Sequence, residues 1–267
     1  MFKNTFEYPT KQKKTARVVA FTLAAAAVLL IAFLFYNSNP IPSEQSESEL
    51  VNQEITTERG QRTTVRLSDG TRIHLNAESK LVVPQDYMQN DRIVRLHGEA
   101  FFEVTSNKDK PFVVQTDRSI TRVLGTKFNV TAYPDQKEVQ VVVDEGRVVL
   151  GSEKDVQAPE VQLTRSQRGT INGNGEIIAS HVSDVGRYLD WSRGKLTFQD
   201  APLEDVEKRL ERWYDIEVIF DKGISTENRR LTGSFKDISM TNVLNSIALS
   251  LELNYKEEGR KITFMVR

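Results

Sequence analysis

Cysteine is absent from this chain of 267 residues. Its absence excludes disulfides, thiolate zinc sites, iron–sulfur clusters, cysteine nucleophiles and a lipidated N-terminal cysteine. Histidine is scarce, because His74, His97 and His181 are the only three and none forms a metal-spaced pair. The formal net charge of −1 gives no basic excess for direct nucleic-acid binding. We therefore predict no catalytic, cofactor-binding or metal-binding residues.

One long apolar run, Val18–Tyr36, contrasts with the mixed composition of the rest. Its 19 uncharged residues would form a helix of about 28 Å, enough to cross a bilayer core. Five Lys or Arg residues and one Glu precede it, whereas glutamates follow it, so residues 1–17 are expected in the cytoplasm. A cleaved signal peptide is the alternative, but a shorter apolar region and a small-residue cleavage site are missing. We predict a single uncleaved transmembrane helix over residues 18–36.

The composition beyond this run predicts a linker and an all-β domain. Residues 37–58 are rich in Ser, Glu, Gln and Pro, which is typical of a flexible linker. Residues 59–180 alternate apolar and polar side chains in short runs separated by turn residues. Within Thr63–Asn76, the segment Ser68-Asp69-Gly70 predicts a hairpin turn. We predict an antiparallel β-sandwich or roll without a long amphipathic helix.

The periodicity changes near residue 181, where a connector is predicted over residues 181–192. Residues 193–267 then read as β-α-β-β-α-β-β, a small α+β domain with helices packed on one face of a sheet. Its first helix follows Pro202, and its second follows Ser239, a predicted N-cap. The last two strands are expected to form a hairpin over Glu258-Gly259.

A group of polar residues in one predicted strand raises the question of catalysis. His97, Glu99 and Glu103 alternate with small and apolar residues, so they share one strand face with Phe101. A metal site would need further ligands, and an acid–base pair would need an environment that separates two pKa values. A solvated face of an antiparallel sheet explains the pattern more simply. The basic residues expected to pair with the glutamates are Arg92, Arg95 and Lys108.

Several motifs between Gly60 and Leu150 resemble those of a known protein family. In order, they are GEAFFEV, KPFVVQT, VLGTKFNV and VVVDEGRVVL, preceded by the hairpin sequence of Gly60–Pro84. They resemble the periplasmic domain of the FecR family of anti-sigma regulators. Trp191, Gly194, KLTFQDAPLEDV and LTGSF resemble the C-terminal domain of Bacteroidetes-type members, which is similar to the short signalling domain of secretins and TonB-dependent transducers. The resemblance covers about residues 58–267.

The resemblance implies a regulator in the inner membrane and no enzyme activity. Such a protein crosses the membrane once, with its N-terminus in the cytoplasm and its bulk in the periplasm. It controls an extracytoplasmic-function sigma factor and receives its signal from the signalling domain of an outer-membrane TonB-dependent transducer for an iron carrier or a glycan. An alternative is a periplasmic, membrane-anchored binding or scaffold module without direct sigma-factor contact. A carboxylate enzyme ranks below both.

Two features depart from the family pattern. The segment before the membrane run has only about 17 residues, whereas a standard interface uses about 20–30 residues on each side. The sigma-factor contact is therefore reduced, made by another chain, or encoded upstream. In addition, Arg165 and Ser166 stand where the family has a Pro-Gly turn, which predicts a different turn.

The C-terminal domain is where the resemblance implies partner contact, which edge-strand addition would provide. KLTF and KITFMV are the two candidate edge strands. Trp213 continues the apolar stripe of the first helix and is expected in the core, while Tyr214 lies off that stripe. The candidate partner-binding residues are Lys195, Leu196, Thr197, Phe198, Tyr214, Ile262 and Phe264.

Overall fold

The computed structural model describes residues 26–35, 52–89, 91–155, 157, 159–226, 229–236 and 239–267. The chain divides into two units, Met1–Glu49 and Leu50–Arg267. In the first unit, residues 26–35 form helix α1. Within the described ranges, no helix is long and apolar enough to cross a membrane. The predicted cytoplasmic segment, the rest of the predicted transmembrane helix and most of the predicted linker lie outside those ranges.

The second unit begins with a domain of strands, which we call the sheet domain (residues 53–181). Its first seven strands are β1 (Gln53–Thr57), β2 (Thr63–Arg66), β3 (Arg72–Leu75), β4 (Ser79–Val83), β5 (Arg92–Glu103), β6 (Phe112–Gln115) and β7 (Ser119–Val123). The next six are β8 (Lys127–Ala132), β9 (Val139–Glu145), β10 (Arg147–Ser152), β11 (Val161–Thr164), β12 (Gln167–Ile171) and β13 (Ile177–His181).

The 12-residue strand β5 belongs to both layers of this domain. Its first half lies in the layer β1-β4-β5-β6-β7-β10-β11, and its second half lies in the layer β2-β3-β5-β8-β9-β12-β13. All pairs are antiparallel except β5 with β6. The apolar side chains of both layers form one core that includes Leu96, Phe102, Phe112 and Phe128. The prediction of an all-β domain is confirmed, and its pairing is antiparallel as predicted for a sandwich or roll except at β5–β6.

Gly98 lies where β5 passes from one layer to the other. Its φ is +100°, a conformation that other residues rarely adopt. A Cβ at this position would lie 2.3 Å from the Ser79 Oγ. Ser79 therefore packs directly against the backbone of β5 at this point, and glycine is required there.

The predicted hairpin over Asp69-Gly70 is present, and an ion pair supports it. Gly70 has a φ of +86°, and Asp69 accepts hydrogen bonds from the backbone and side chain of Thr71. Arg92 is fully buried and donates to the Asp69 carboxylate at 3.0 Å and to the Thr105 carbonyl at 2.9 Å. Burial opposes ionisation of Asp69, but the bonds from Thr71 and Arg92 hold its pKa below the usual range.

The folded unit starts earlier than the sequence predicts. Residues Gln53–Thr57, assigned to the linker, form β1 and pair with β4. The strand is mostly exposed and rich in polar residues, so its composition resembles that of a linker. Its order comes from main-chain pairing and from Thr57, which is buried and donates to the Asn76 and Ser79 carbonyls.

A short connector leads to the C-terminal module (residues 195–267). The connector contains α2 (Gly186–Leu189) and a 3₁₀ turn (Asp190–Arg193). The module consists of β14 (Lys195–Pro202), α3 (Leu203–Tyr214), β15 (Glu217–Phe220), β16 (Arg230–Lys236), α4 (Met240–Ser250), β17 (Leu253–Glu258) and β18 (Lys261–Val266). This is the predicted order of elements, and the Ser239 Oγ accepts from the Asn242 N–H as an N-cap.

The module has two sheets, so the prediction of a single sheet is wrong. β14 pairs with β16, while β15, β18 and β17 form a separate three-stranded sheet. A bulge between Phe198 and Ala201 interrupts the β14–β16 ladder. Both sheets and both helices contribute to one core, which includes Leu203, Val206 and Leu210 from α3.

Candidate functional site

The polar face of β5 is covered by the connector around Phe101, which corrects the prediction of a solvated face there, whereas the His97 side chain on the same face is 42% exposed. Phe101 is only 8% exposed and packs against Leu189 and Trp191 of the connector. The Glu99 carboxylate beside it accepts from Asn76 at 2.7 Å, from Asn129 at 2.9 Å and from Thr131 at 3.0 Å. Because every bond to Glu99 comes from a neutral side chain of the same layer, this carboxylate has a structural explanation.

The other acidic residue of this face, Glu103, has local partners as well. It lies 3.1 Å from the His74 Nε2 and 3.4 Å from the Arg72 Nη1. Neither glutamate pairs with Arg92, Arg95 or Lys108, so that prediction is wrong; Arg95 bonds Gln115. No group of metal-ligating residues is present in the part of the chain that the structure describes.

The strongest contact between the sheet domain and the C-terminal module is made by Arg212 of α3. Its guanidinium donates to both oxygens of Asp135 at 2.6 and 2.7 Å and to Glu78 at 2.9 Å. It also lies 3.8 Å from the ring centroid of Tyr133. Arg212 is only 8% exposed, and its carbonyl accepts from the Gly60 N–H at 2.7 Å. The Nη2 nitrogen contacts both Asp135 oxygens and the Nε nitrogen bonds Glu78, so two carboxylates hold the guanidinium in place.

Two tryptophans, Trp191 and Trp213, extend the contact. The Arg62 guanidinium lies 3.5 Å from the ring centroid of Trp213, which is partly buried between the module and the connector. The Trp191 Nε1 donates to the Asn129 Oδ1 at 3.2 Å. Trp213 is therefore not a simple core residue of the module. Helix α3 is buried on two sides, with one side on its own core and the other on the sheet domain.

The predicted partner residues of β14 divide into two groups. Leu196 and Phe198 are buried in the core of the module, so their side chains do not face a partner. Lys195 and Thr197 point the other way and bond the Asp190 carboxylate at 3.0 and 2.7 Å. β14 pairs only with β16 among the described strands, so one of its edges has no strand partner.

The prediction that KITFMV forms an edge strand is wrong. β18 is the central strand of its sheet, with β15 parallel on one side and β17 antiparallel on the other. Ile262 and Phe264 are fully buried. Tyr214 is half-buried and packs against the core of the module, and burial raises the pKa of its hydroxyl. It shares no strand edge with the other predicted residues.

Sequence reasoning missed the residues that join the two domains. Arg212 lies 77 residues from Asp135 and 134 from Glu78, so no local pattern connects them. One signal was available in the sequence. Arg212 and Trp213 are adjacent on α3, so their side chains point to different sides of the helix, which indicates contacts on more than one side. The arrangement performs no evident chemistry; it fixes α3 on the sheet domain and thereby positions the module.

Comparison with known proteins agrees with this architecture. Residues 53–149 match the family model described as FecR protein, and residues 195–264 match the model described as FecR, C-terminal. No curated protein sequence matches significantly.

Two solved structures are similar over about four-fifths of the chain, and both are of a candidate anti-sigma factor from Parabacteroides distasonis ATCC 8503. One has 31% identity and a TM-score of 0.73, covering 81% of this chain and 100% of that chain. The other has 31% identity and a TM-score of 0.72, covering 80% and 99%. Because both FecR modules occur in order and these relatives are matched almost from end to end, the chain belongs to the FecR family of anti-sigma regulators.

Proposed function

We propose that this chain is a single-pass inner-membrane regulator of an extracytoplasmic-function sigma factor, controlled by an outer-membrane TonB-dependent transducer. The observation that carries the proposal is the match, at 31% identity, to the full length of a candidate anti-sigma factor. The domain order supports it, because residues 53–149 match the FecR model and residues 195–264 match the FecR C-terminal model.

Charge and hydropathy support the membrane anchor. Val18–Tyr36 is uncharged, and basic residues precede it, which favours a cytoplasmic N-terminus. Within this run, α1 is entirely apolar, and most of its large side chains are more than half exposed. Contact of such an apolar surface with lipid costs little free energy, whereas its contact with water is unfavourable. The bulk of the chain then lies in the periplasm.

We place the transducer contact on the C-terminal module, where strand addition is the simplest mode of binding. Among its described strands, β14 has one edge without a strand partner, as do its neighbour β16 and the two outer strands of the second sheet, β15 and β17. Lys256, Glu257 and Glu258 on β17 are exposed charges of the kind that protect an edge from pairing. We favour β14 over the other edge strands because it leads directly into α3, the helix that contacts the sheet domain.

Helix α3 gives the module a route to the rest of the protein. A partner bound at β14 would act on an element that connects directly to α3, and α3 is held to the sheet domain by Arg212. A change in the position of the module would then be transmitted to the sheet domain. Through the linker, it would reach the cytoplasmic segment that contacts the sigma factor.

Transcript sequencing of native cells tests this proposal. We expect deletion of the gene to change a discrete set of transcripts that share one promoter element. Full-length chain should restore the set, and a chain that lacks residues 195–267 should restore it without response to the inducing ligand. A deletion strain in which no transcripts with a shared promoter element change would contradict the sigma-factor role and favour a scaffold.

A further inference from the structure

A cavity of about 560 Å³ lies where the sheet domain, the connector and the C-terminal module meet. Its size falls within the range of small-molecule sites, about 300–1,000 Å³. Four aromatic residues line it, namely Tyr133, Tyr188, Trp191 and Trp213. The chain contains only two tryptophans, so both of them border this cavity.

Three arginines in the lining have no carboxylate partner among the described residues. Arg62 and Arg168 come from the sheet domain and Arg187 from the connector, and none of them forms an ion pair there. The neutral partners of Arg168 and Arg187 include the hydroxyl of Tyr188, at 3.4 and 2.8 Å. Arg62 donates from Nε to the Asn76 Oδ1 at 3.1 Å. None of the three therefore has a described carboxylate within ion-pair distance, although Glu99 is near enough to Arg62 to act on its pKa.

Two of these guanidinium groups also have buried N–H donors that lack an acceptor. They are the Nη2 of Arg62 and the Nε of Arg168. A buried donor without an acceptor costs about 1–3 kcal/mol, which is why such groups usually have a partner in the functional state. Burial lowers the pKa of Arg62, but a guanidinium stays charged at neutral pH. The cavity thus offers positive charge and unused donors together.

Two acidic residues of the lining, Glu99 and Asp135, form no ion pair with these arginines. Glu99 is satisfied by three neutral donors, and Asp135 is engaged by Arg212 and Lys208. Across the whole lining, eight Lys or Arg residues stand against six Asp or Glu residues. The excess of basic residues and the buried N–H donors without acceptors both favour the binding of an anion.

We propose that this cavity binds a small organic anion, with a phosphate or carboxylate group on a flat apolar body. Arginine forks bind either oxyanion with two parallel hydrogen bonds, and the aromatic rings would cover the apolar part. Because the lining comes from both domains, the bound anion would stabilise their contact. The inference does not depend on the sigma factor or the transducer.

Tryptophan fluorescence of the full-length chain in detergent tests this inference, since both reporters line the cavity. Phenyl phosphate, benzoate and benzyl alcohol serve as probes with the same ring and a phosphate, a carboxylate or a neutral group. We expect a saturable change with at least one anion below about 10 mM, weakened by salt, and none with benzyl alcohol. The anion that binds more tightly identifies the oxyanion. No saturable change with either anion, or an equal change with benzyl alcohol, would overturn the proposal.

Two variants locate the binding. Arg62→Met and Arg168→Met each remove a guanidinium from a different wall, and each should weaken the anion at least about tenfold. Arg95→Met removes an exposed arginine outside the cavity and should leave the affinity unchanged. Circular dichroism checks the fold of each variant. One correctly folded cavity variant is enough to test the location of the binding site. Unchanged affinity in a folded cavity variant would refute this location.

Discussion

Replacement of Arg212 by Met should loosen the C-terminal module from the sheet domain. Methionine keeps the unbranched stem but removes three charge-assisted hydrogen bonds, two to Asp135 and one to Glu78. It also removes the cation that lies 3.8 Å from the ring centroid of Tyr133. All of these contacts cross between the two domains, so the variant isolates the interface.

The size of the loss follows from burial. Leaving a buried ion partner alone costs about 3–5 kcal/mol, but the Asp135 and Glu78 side chains are 43% and 39% exposed and can be rehydrated. We therefore expect the free energy of unfolding to fall by about 2–3 kcal/mol. For a unit of this size, the melting temperature should fall by about 4–12 °C.

Differential scanning calorimetry of the full-length chain measures this effect. The wild-type protein should unfold in one main transition, and Arg212→Met should lower it or split it into two as the domains uncouple. Arg95→Met is the matched control, with an expected change within about 0.5 kcal/mol. If Arg212→Met melts within the range of the control, the domains are not held by this contact and the reasoning is refuted.

Three further predictions concern the sheet domain. Asp69→Asn should lower the free energy of unfolding at neutral pH, measured by urea unfolding. It should also make that free energy fall less steeply as the pH becomes acidic. The folded pKa of Asp69 is depressed, so its contribution is present above about pH 3.9 and lost as the pH falls through the folded value; an unaltered pH profile would contradict this. Gly98→Ala should cost more than about 3 kcal/mol because its Cβ would meet Ser79, whereas Gly173→Ala, with nothing within 4 Å, should be nearly neutral in the same assay. Glu99→Gln should lower stability by about 1 kcal/mol and leave regulation intact in a reporter assay, and a lost response would revive a chemical role.

Local patterns predicted much of this fold. The alternation of apolar and polar residues over residues 59–180 indicates strands with one buried face each. Asp69-Gly70 predicts a turn because these residues favour the backbone conformations that a turn requires. The helices α3 and α4 followed from apolar spacing in the same way. β1 escaped detection because its order depends on β4, whose paired residues lie 22 to 30 positions later, and not on its own composition.

Sheet order and domain contacts escaped prediction for the same physical reason. An apolar strand such as β18 has the same alternation at an edge as at the centre, so its central position appears only with β15 and β17 in place. The face of Glu99 and Phe101 looked solvated because the residues that cover it, Leu189 and Trp191, come from a connector about 90 residues later. Arg212 resembled a surface charge for the same reason.

Crosslinked co-purification of the full-length chain from its native cells, with partners identified by mass spectrometry, tests the central claim most directly. We predict that an extracytoplasmic-function sigma factor and a TonB-dependent transducer are both recovered. The transducer alone should be lost when residues 195–267 are removed. Recovery of neither partner, under conditions where the chain itself is recovered in the membrane fraction, would contradict the regulatory relay.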